Sequence, residues 1–431
     1  MKLHLIAPTK KRQTYLFNRD PFPPLGLMCL AAYTPKEVEV RLIDENVEPI
    51  DFADSPDLVG ITTLTATAPR AYEIADRYRE LGSKVVLGGV HASMVPEEAL
   101  EHADSVVVGE AEAIWSRVLS DADAGRLEPL YRQESFIDFK RPLLPRRDII
   151  DPKRYWSANV LQTARGCPHD CNFCSVTSFN GRRHRVRELD NVMVEVESLS
   201  RSNLLHRKVV PFVDDNIAAS PKRAKELFKA LIPMKILWGS QACITFARDE
   251  ELVGLAAESG CRFLIIGLET LSPRALTEMG KRQNKVEQYE GGLRLLKKYG
   301  IHVMCAFIFG FDSDDETVFS NTLDFAIRNK LALAQFSKLT PYPGTRLYRQ
   351  LLGENRLEPG FWLDPSWDSR VVFKPQNMSA ERLCENTRQA QRDFYSYRSI
   401  IKRISLHGYW DYWLAANLIY RHTVVASHSH A

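Results

Sequence analysis

Over the first 130 residues, short apolar runs alternate with stretches whose apolar positions recur at helical spacing. The runs at 2–7, 38–44, 58–62, 84–88 and 105–108 predict strands, and 26–33, 69–81, 96–101 and 113–120 predict helices. Regular alternation of this kind predicts a parallel, doubly wound α/β sheet. Several expected strand ends carry small or turn residues, namely Ala7-Pro8-Thr9, Thr62-Thr63, Gly88-Gly89 and Gly109-Glu110. In such sheets ligands bind in the crevice beyond the carboxyl ends of the strands, where close backbone approach favours Gly, Ser and Thr. Taken singly, each glycine is better explained by a tight strand-to-helix turn.

Residues 131–157 are rich in Pro, Arg and Asp, as in Arg141-Pro142-Leu143-Leu144-Pro145-Arg146-Arg147-Asp148, and read as an extended linker. A second α/β run follows. Strands are expected at 158–163, 208–213, 236–243, 262–267, 302–308 and 333–339, with helices at 190–199, 221–231, 250–259, 273–279, 286–298 and 315–329. Six successive βα units over 158–345 predict a barrel or partial barrel of parallel strands. Beyond Tyr342-Pro343-Gly344 the pattern turns helical and aromatic, with Phe361, Trp362, Trp367, Phe394, Tyr395, Tyr397, Tyr409, Trp410, Tyr412 and Trp413 in the region 346–431. Core packing is the first expectation for these rings. The stretch 409–426 is broken by Asp411, Asn417, Arg421 and His422, too polar for a membrane span; it reads as a packed amphipathic helix, with contact to a lipid surface as the lesser alternative. Ser427-His428-Ser429-His430-Ala431 reads as a frayed tail.

Composition narrows the function. A chain of 431 residues exceeds one ordinary core, and 45% apolar with 26% charged residues describes a globular protein. The formal net charge of +3 and the lack of a basic stripe beyond residues 182–187 argue against nucleic acid as a partner. No signal-peptide pattern opens the chain. Of eight cysteines, five (Cys29, Cys243, Cys261, Cys305 and Cys384) are scattered in apolar surroundings and read as reduced, buried thiols, which suits a cytoplasmic setting. The other three, Cys167, Cys171 and Cys174, form a C-x₃-C-x₂-C motif without a fourth cysteine nearby. Structural zinc closes its shell with four protein ligands, and a four-iron cluster wants one ligand per iron. Three thiolates in one loop therefore leave one iron open to a non-protein ligand. Zinc would have to borrow His169 from inside the loop, which is geometrically awkward. An electron carrier would need a fourth thiol.

With this motif directly after the first expected barrel strand, preceded by Thr163-Ala164-Arg165-Gly166 and with Phe173 before the last cysteine, the chain resembles the radical S-adenosylmethionine (SAM) enzymes. The resemblance implies a partial (β/α)6 TIM-like barrel and a 4Fe-4S cluster on Cys167, Cys171 and Cys174. SAM would chelate the open iron and be cleaved reductively to a 5′-deoxyadenosyl radical. It also implies SAM contacts at Phe173, at Asp214 and Asp215 in Phe212-Val213-Asp214-Asp215-Asn216, at Gln241, at Glu269 in Gly267-Leu268-Glu269-Thr270, and at Gly310 in Phe309-Gly310-Phe311-Asp312 with Glu316 further on. Thr340-Pro341-Tyr342-Pro343-Gly344-Thr345 closes the sixth strand as in relatives. The run Arg182-Arg183-His184-Arg185-Val186-Arg187 reads as a solvated face, except that Arg185 is as well suited to hold a carboxylate or phosphate.

Pro23-Pro24-Leu25-Gly26-Leu27, Leu42-Ile43-Asp44, Gly60-Ile61-Thr62, Gly88-Gly89-Val90-His91 and Val108-Gly109-Glu110-Ala111-Glu112 resemble, in that order, the subgroup with an N-terminal Rossmann-like cobalamin (B12)-binding domain. This implies cobalamin contacts at Thr62, Thr63, Gly88, Gly89, His91, Gly109 and Glu110. The Asp-x-His-x-x-Gly motif that supplies a lower axial histidine elsewhere is absent. The implied reaction is cobalamin-dependent methylation of an unactivated carbon. The alternative is radical SAM cyclisation, oxidation or rearrangement with the B12-like domain not used for methyl transfer. A non-enzymatic iron–sulfur or zinc protein is the reading from a different class. Implied partners are a small-molecule or lipid-like substrate and a reducing donor such as flavodoxin or ferredoxin. The C-terminal helical region is expected to close over the barrel mouth.

Overall fold

The computed structural model describes residues 1–10, 22–138, 144–201, 208–403 and 410–422; for 410–412 only the backbone is described. The linker residues 139–143, Tyr409, the side chains of Trp410 and Tyr412, and the tail 427–431 lie outside what is described.

Strands β1 (Lys2–Ala7), β2 (Glu39–Asp44), β3 (Leu58–Thr62), β4 (Lys84–Gly88), β5 (Ser105–Val108) and β6 (Leu130–Arg132) form one sheet in the order β2-β1-β3-β4-β5-β6, with every pairing parallel. Parallel strands are covered on both faces, so their residues alternate between two cores rather than between core and water. Leu3, Leu5, Leu58 and Val86 pack into one core with helix Leu25–Ala32 and Trp115. Ile6, Val59, Ile61, Val85 and Leu87 pack into the other with helix Ala68–Glu80. The first five strands lie where their apolar runs predict. β6 does not: its three residues lie at the edge of the stretch read as linker, too short to carry a period of two.

A hairpin-like pair, β7 (Ala164–Arg165) and β8 (Arg185–Val186), brackets the cysteine loop antiparallel. The second sheet runs β13-β12-β11-β10-β9, all parallel, from β9 (Val209–Pro211), β10 (Leu237–Ala242), β11 (Cys261–Glu269), β12 (His302–Phe309) and β13 (Leu333–Lys338). It is an open half-barrel, and its helices form on apolar positions at helical spacing. In Pro221–Leu231, Ala224, Leu227, Phe228 and Leu231 are buried on one face, and proline stands in the first turn where its missing N–H costs nothing.

The first expected barrel strand, 158–163, is not a strand. Only Leu161 bridges to Phe212 beside β9. Its neighbours' ladder groups are taken by side chains: Arg147 donates to the carbonyls of Ala158 (2.6 Å) and Val160 (2.7 Å), and Arg187 to that of Gln162 (2.8 Å). The Thr163 amide donates to Asp214 (2.6 Å). Backbone groups satisfied in this way have none left to form a ladder.

The C-terminal region divides. Helix Ala380–Phe394 packs on β13 and brings Leu383 to the carboxyl end of β12, toward the barrel mouth. The last helix, Trp410–Tyr420, goes to the opposite end. Trp413 stacks on Phe263 (5.3 Å between centroids) and packs against His302 (4.8 Å), residues at the starts of β11 and β12. The expectation of a closed mouth thus fails for this helix, because Trp413 is buried against the barrel's amino end. Among the described residues no helix is long and apolar enough to cross a membrane.

Candidate active site

Cys167, Cys171 and Cys174 stand on the loop after β7, and the residues before them are tied down by two adjacent carboxylates. Asp214 accepts from the amides of Thr163 (2.6 Å) and Ala164 (3.3 Å) and from the Thr163 hydroxyl; Asp215 accepts from the Gly166 amide (2.7 Å). Burial pushes Asp214 up to about 6, and it raises Asp215 as well. Gly166 has φ +83°, and a Cβ there would lie 2.3 Å from the Arg183 carbonyl oxygen. Only glycine lets β7 and β8 close this tightly at the loop's entrance. On the far side, the Asn172 amide donates to the Met279 carbonyl (2.9 Å) and the Asn172 carbonyl accepts from Leu347 (3.0 Å). The loop is therefore fixed at both flanks before any ligand arrives.

Two residues that no motif signals complete its surroundings. Cys243, just past β10, reaches Cys167; its thiol hydrogen bond is the chief reason Cys167 is held down at about 6. Asn216 donates to Cys243 (3.4 Å) and to Cys167 (3.9 Å). Lys281 is buried, and its charge acts on all three loop cysteines and on Cys243. Burial alone would neutralise Lys281, yet Glu269 and the thiols outweigh it and keep the ammonium charged. By contrast, burial raises Cys171 to about 11. A cationic group held beside three thiols suits an anionic thiolate-ligated centre. Among the described residues no three His, Cys, Asp or Glu side chains converge on a single-ion site. The three thiols with the Lys281 ammonium beside them are a donor set that fits a thiolate-ligated iron–sulfur cluster.

Glu269 ends β11 with φ +66°, a conformation uncommon outside glycine. Its carboxylate folds back over Gly267, where a Cβ would lie 2.2 Å from Oε1, and pairs with Lys281. Glycine two residues before the glutamate is what permits the pair. Gly310 has φ +109° and packs against Leu383 and Phe373 rather than open space; Asp314 accepts from its amide (2.9 Å). Gln241 presents an exposed side chain at the end of β10, and Phe173 packs at the edge of the barrel core.

The two sheets point their carboxyl ends at one another. Between them lies a cavity of ≈ 370 Å³ lined by Thr62, Gly88, Gly89, Gly109 and Glu110 on one side and by Gln162, Arg165, Phe179, Val213 and Asp215 on the other. Five of the seven residues expected at cobalamin line it; Thr63 and His91 do not. The Thr63 hydroxyl donates to the Gly88 carbonyl (2.8 Å). The His91 ring is fully buried, with Thr65 at 3.2 Å and Glu98 at 3.3 Å. A cofactor on this edge receives no imidazole from His91, in keeping with the missing axial-histidine motif. Thr62, Gly88 and Gly89 leave the sheet edge flat and without bulky side chains, as a broad cofactor needs.

Glu110 also does something else. Arg185 grips its carboxylate with two bonds (2.7 and 2.9 Å), and Arg165 joins Glu110 (3.0 Å) to Glu112 (2.5 Å). This buried cluster bolts the first sheet to the cysteine loop's hairpin. Burial opposes ionisation of Glu110, but the two guanidiniums prevail and hold it below the usual carboxylate range. Arg185 therefore holds a carboxylate, that of this chain.

Residues 161–326 match the family model of the radical SAM superfamily, and residues 19–119 that of the B12 binding domain. The chain is 32% identical over 415 residues to bacteriochlorophyllide d C-12(1)-methyltransferase of Chlorobaculum tepidum, covering 93% of this chain and 88% of that one. It is 30% identical over 349 residues to bacteriochlorophyllide d C-8(2)-methyltransferase of the same organism, covering 77% of each. Among solved structures, the radical SAM methyltransferase TsrM of Kitasatospora setae with cobalamin and a 4Fe-4S cluster bound is similar in fold, with a TM-score of 0.71 at 19% identity over 99% of both chains. The two matched models, the whole-length relative and the paired sheet edges agree: this chain belongs to the radical SAM enzymes that carry an N-terminal B12-binding domain.

Proposed function

We propose that the chain transfers a methyl group to an unactivated carbon of a small molecule, with cobalamin, SAM and a 4Fe-4S cluster as cofactors. The observation that carries this reading is the shared cavity: the B12-type sheet edge forms one wall, and the residues that flank the three-cysteine loop, Arg165 before it and Ser175, Val176 and Phe179 after it, form the other. When bound, the cluster with SAM supplies a carbon-centred radical, and cobalamin supplies the methyl group. The chain's own contribution is positional. Cys167, Cys171 and Cys174 would hold the cluster on a loop pinned by Asp214, Asp215 and Met279. Thr62, Gly88, Gly89 and Gly109 would leave room for the corrin. Ile61, Val90, Val107, Val176, Phe179 and Val213 give the cavity apolar walls that exclude water and favour a substrate with an apolar face. Gln162, Ser175, Asn180 and Asp215 are among the polar groups there, suited to orient a substrate rather than to exchange protons with it.

Anaerobic reconstitution with iron, sulfide and cobalamin tests the assignment. The chain should retain about four irons and one cobalamin, and the Cys171→Ala variant should keep the cobalamin while losing the iron. Wild-type protein that binds cobalamin no more tightly than a chain lacking such a domain would refute it. Relatives also include an anaerobic magnesium-protoporphyrin IX monomethyl ester cyclase of Cereibacter sphaeroides, at 26% identity over 384 residues. That favours ring closure as the second reading, and a product lacking an added methyl would select it.

A further inference from the structure

The cysteine loop has a second face. Its residues Pro168, His169, Asp170 and Asn172 line a surface groove of ≈ 610 Å³, separate from the cavity, that also includes Arg182, Glu278, Arg282, Gln283 and Arg346. Gln283 spans the short distance inward, its Nε2 donating to Cys171 Sγ at 3.9 Å. The rim is cationic. Arg182 and Arg346 both reach the one carboxylate of Asp170, at 3.3 and 2.8 Å, and Arg274 holds Glu278 at 3.0 Å. Arg282 is exposed and has no ion pair among the described residues. Three guanidiniums, of Arg182, Arg282 and Arg346, therefore line the groove against the two carboxylates of Asp170 and Glu278.

We propose that this groove is the docking surface of a small acidic one-electron carrier protein that reduces the centre held by Cys167, Cys171 and Cys174. The inference rests on reading that centre as an iron–sulfur cluster. One electron leaves the reduced carrier and enters the oxidised cluster, with no bond made or broken and no proton moved. Two features favour a protein over a small anion. The guanidiniums are spread along an exposed rim instead of converging on a buried point, an arrangement that steers encounter and sets orientation. And the groove touches the loop that carries the centre: Asp170 and Asn172, on either side of Cys171, line it, and Gln283 in its wall donates to the Cys171 sulfur.

The test uses reconstituted holoenzyme and reduced flavodoxin, with cluster reduction followed by loss of its visible absorbance in a stopped-flow instrument. The Arg182→Glu/Arg282→Glu double variant should be reduced at least about tenfold more slowly than wild type at low salt, and the wild-type rate should fall as salt rises. Reduction by dithionite should be the same in both proteins. Arg294→Glu, an equal charge change on helix Tyr289–Lys298 outside the groove, should leave the flavodoxin rate unaltered. Equal flavodoxin rates in wild type and double variant, an equal loss in Arg294→Glu, or no reduction of wild type by flavodoxin would each overturn the docking site. Absorbance that dithionite also fails to bleach would overturn the cluster assignment, and the docking site with it.

Discussion

At Gly166 a missing side chain decides whether the cysteine loop can form. Its φ of +83° and the Arg183 carbonyl oxygen 2.3 Å from a would-be Cβ leave no room for alanine. Gly166→Ala should cost about 2 kcal/mol or more in urea unfolding and lower the iron retained after reconstitution. Cys243 acts differently. Its thiol donates to Cys167, and hydrogen bonds to a ligating sulfur raise a cluster's reduction potential by relieving the charge on the thiolate. Cys243→Ala should therefore keep the cluster but shift its midpoint to more negative potential in an EPR-monitored titration; an unchanged midpoint would remove Cys243 from the account. The three ligand cysteines were legible because their spacing is local and chemically unusual. Cys243 and Lys281 were not, since strand order and the fold of β11 bring them to the loop from 69 and more residues away.

The N-terminal strands announced themselves through apolar runs, several of them ending at small or turn residues, and β1 to β5 fall on those runs. Residues 158–163 carry a similar run yet make no ladder, because Arg147, Arg187 and Asp214 claim its backbone groups. Long-range side-chain competition of this kind leaves no periodic trace. Aromatic content likewise could not tell which end of the barrel each C-terminal helix would meet. The segment Phe361–Leu363 meets the first domain: Trp362 donates to Glu98 (2.9 Å), which also accepts from Tyr72 (2.7 Å). Trp362→Phe keeps an aromatic ring at that place, though a smaller one, and deletes that donor, and should cost about 1–2 kcal/mol. Partial proteolysis should then cut within 361–369 before the barrel; unaltered stability would show that the contact adds nothing.

At the scale of the molecule, two sheets are useful only while their carboxyl ends face each other, and Glu110 with Arg165 and Arg185 holds them so. Because Glu110 has its folded pKa below the ordinary 4.5, its stabilisation is present above that value and is lost as pH falls through the lower folded value. Acidification below about 4.5 should loosen the contact between the sheets, seen as faster hydrogen exchange along β7 and β8. Glu110→Gln leaves two guanidiniums short of a partner and should cost about 3 kcal/mol at neutral pH while flattening that pH dependence. If the variant is as stable as wild type at pH 7, the cluster is not what joins the sheets. The central claim, that both sheets serve one reaction across one cavity, is tested most directly by turnover with methyl-labelled SAM in the presence of cobalamin. The account predicts labelled methyl in the product, with 5′-deoxyadenosine and S-adenosylhomocysteine formed in equal amounts. Formation of 5′-deoxyadenosine alone, with no labelled product and no dependence on cobalamin, would contradict it.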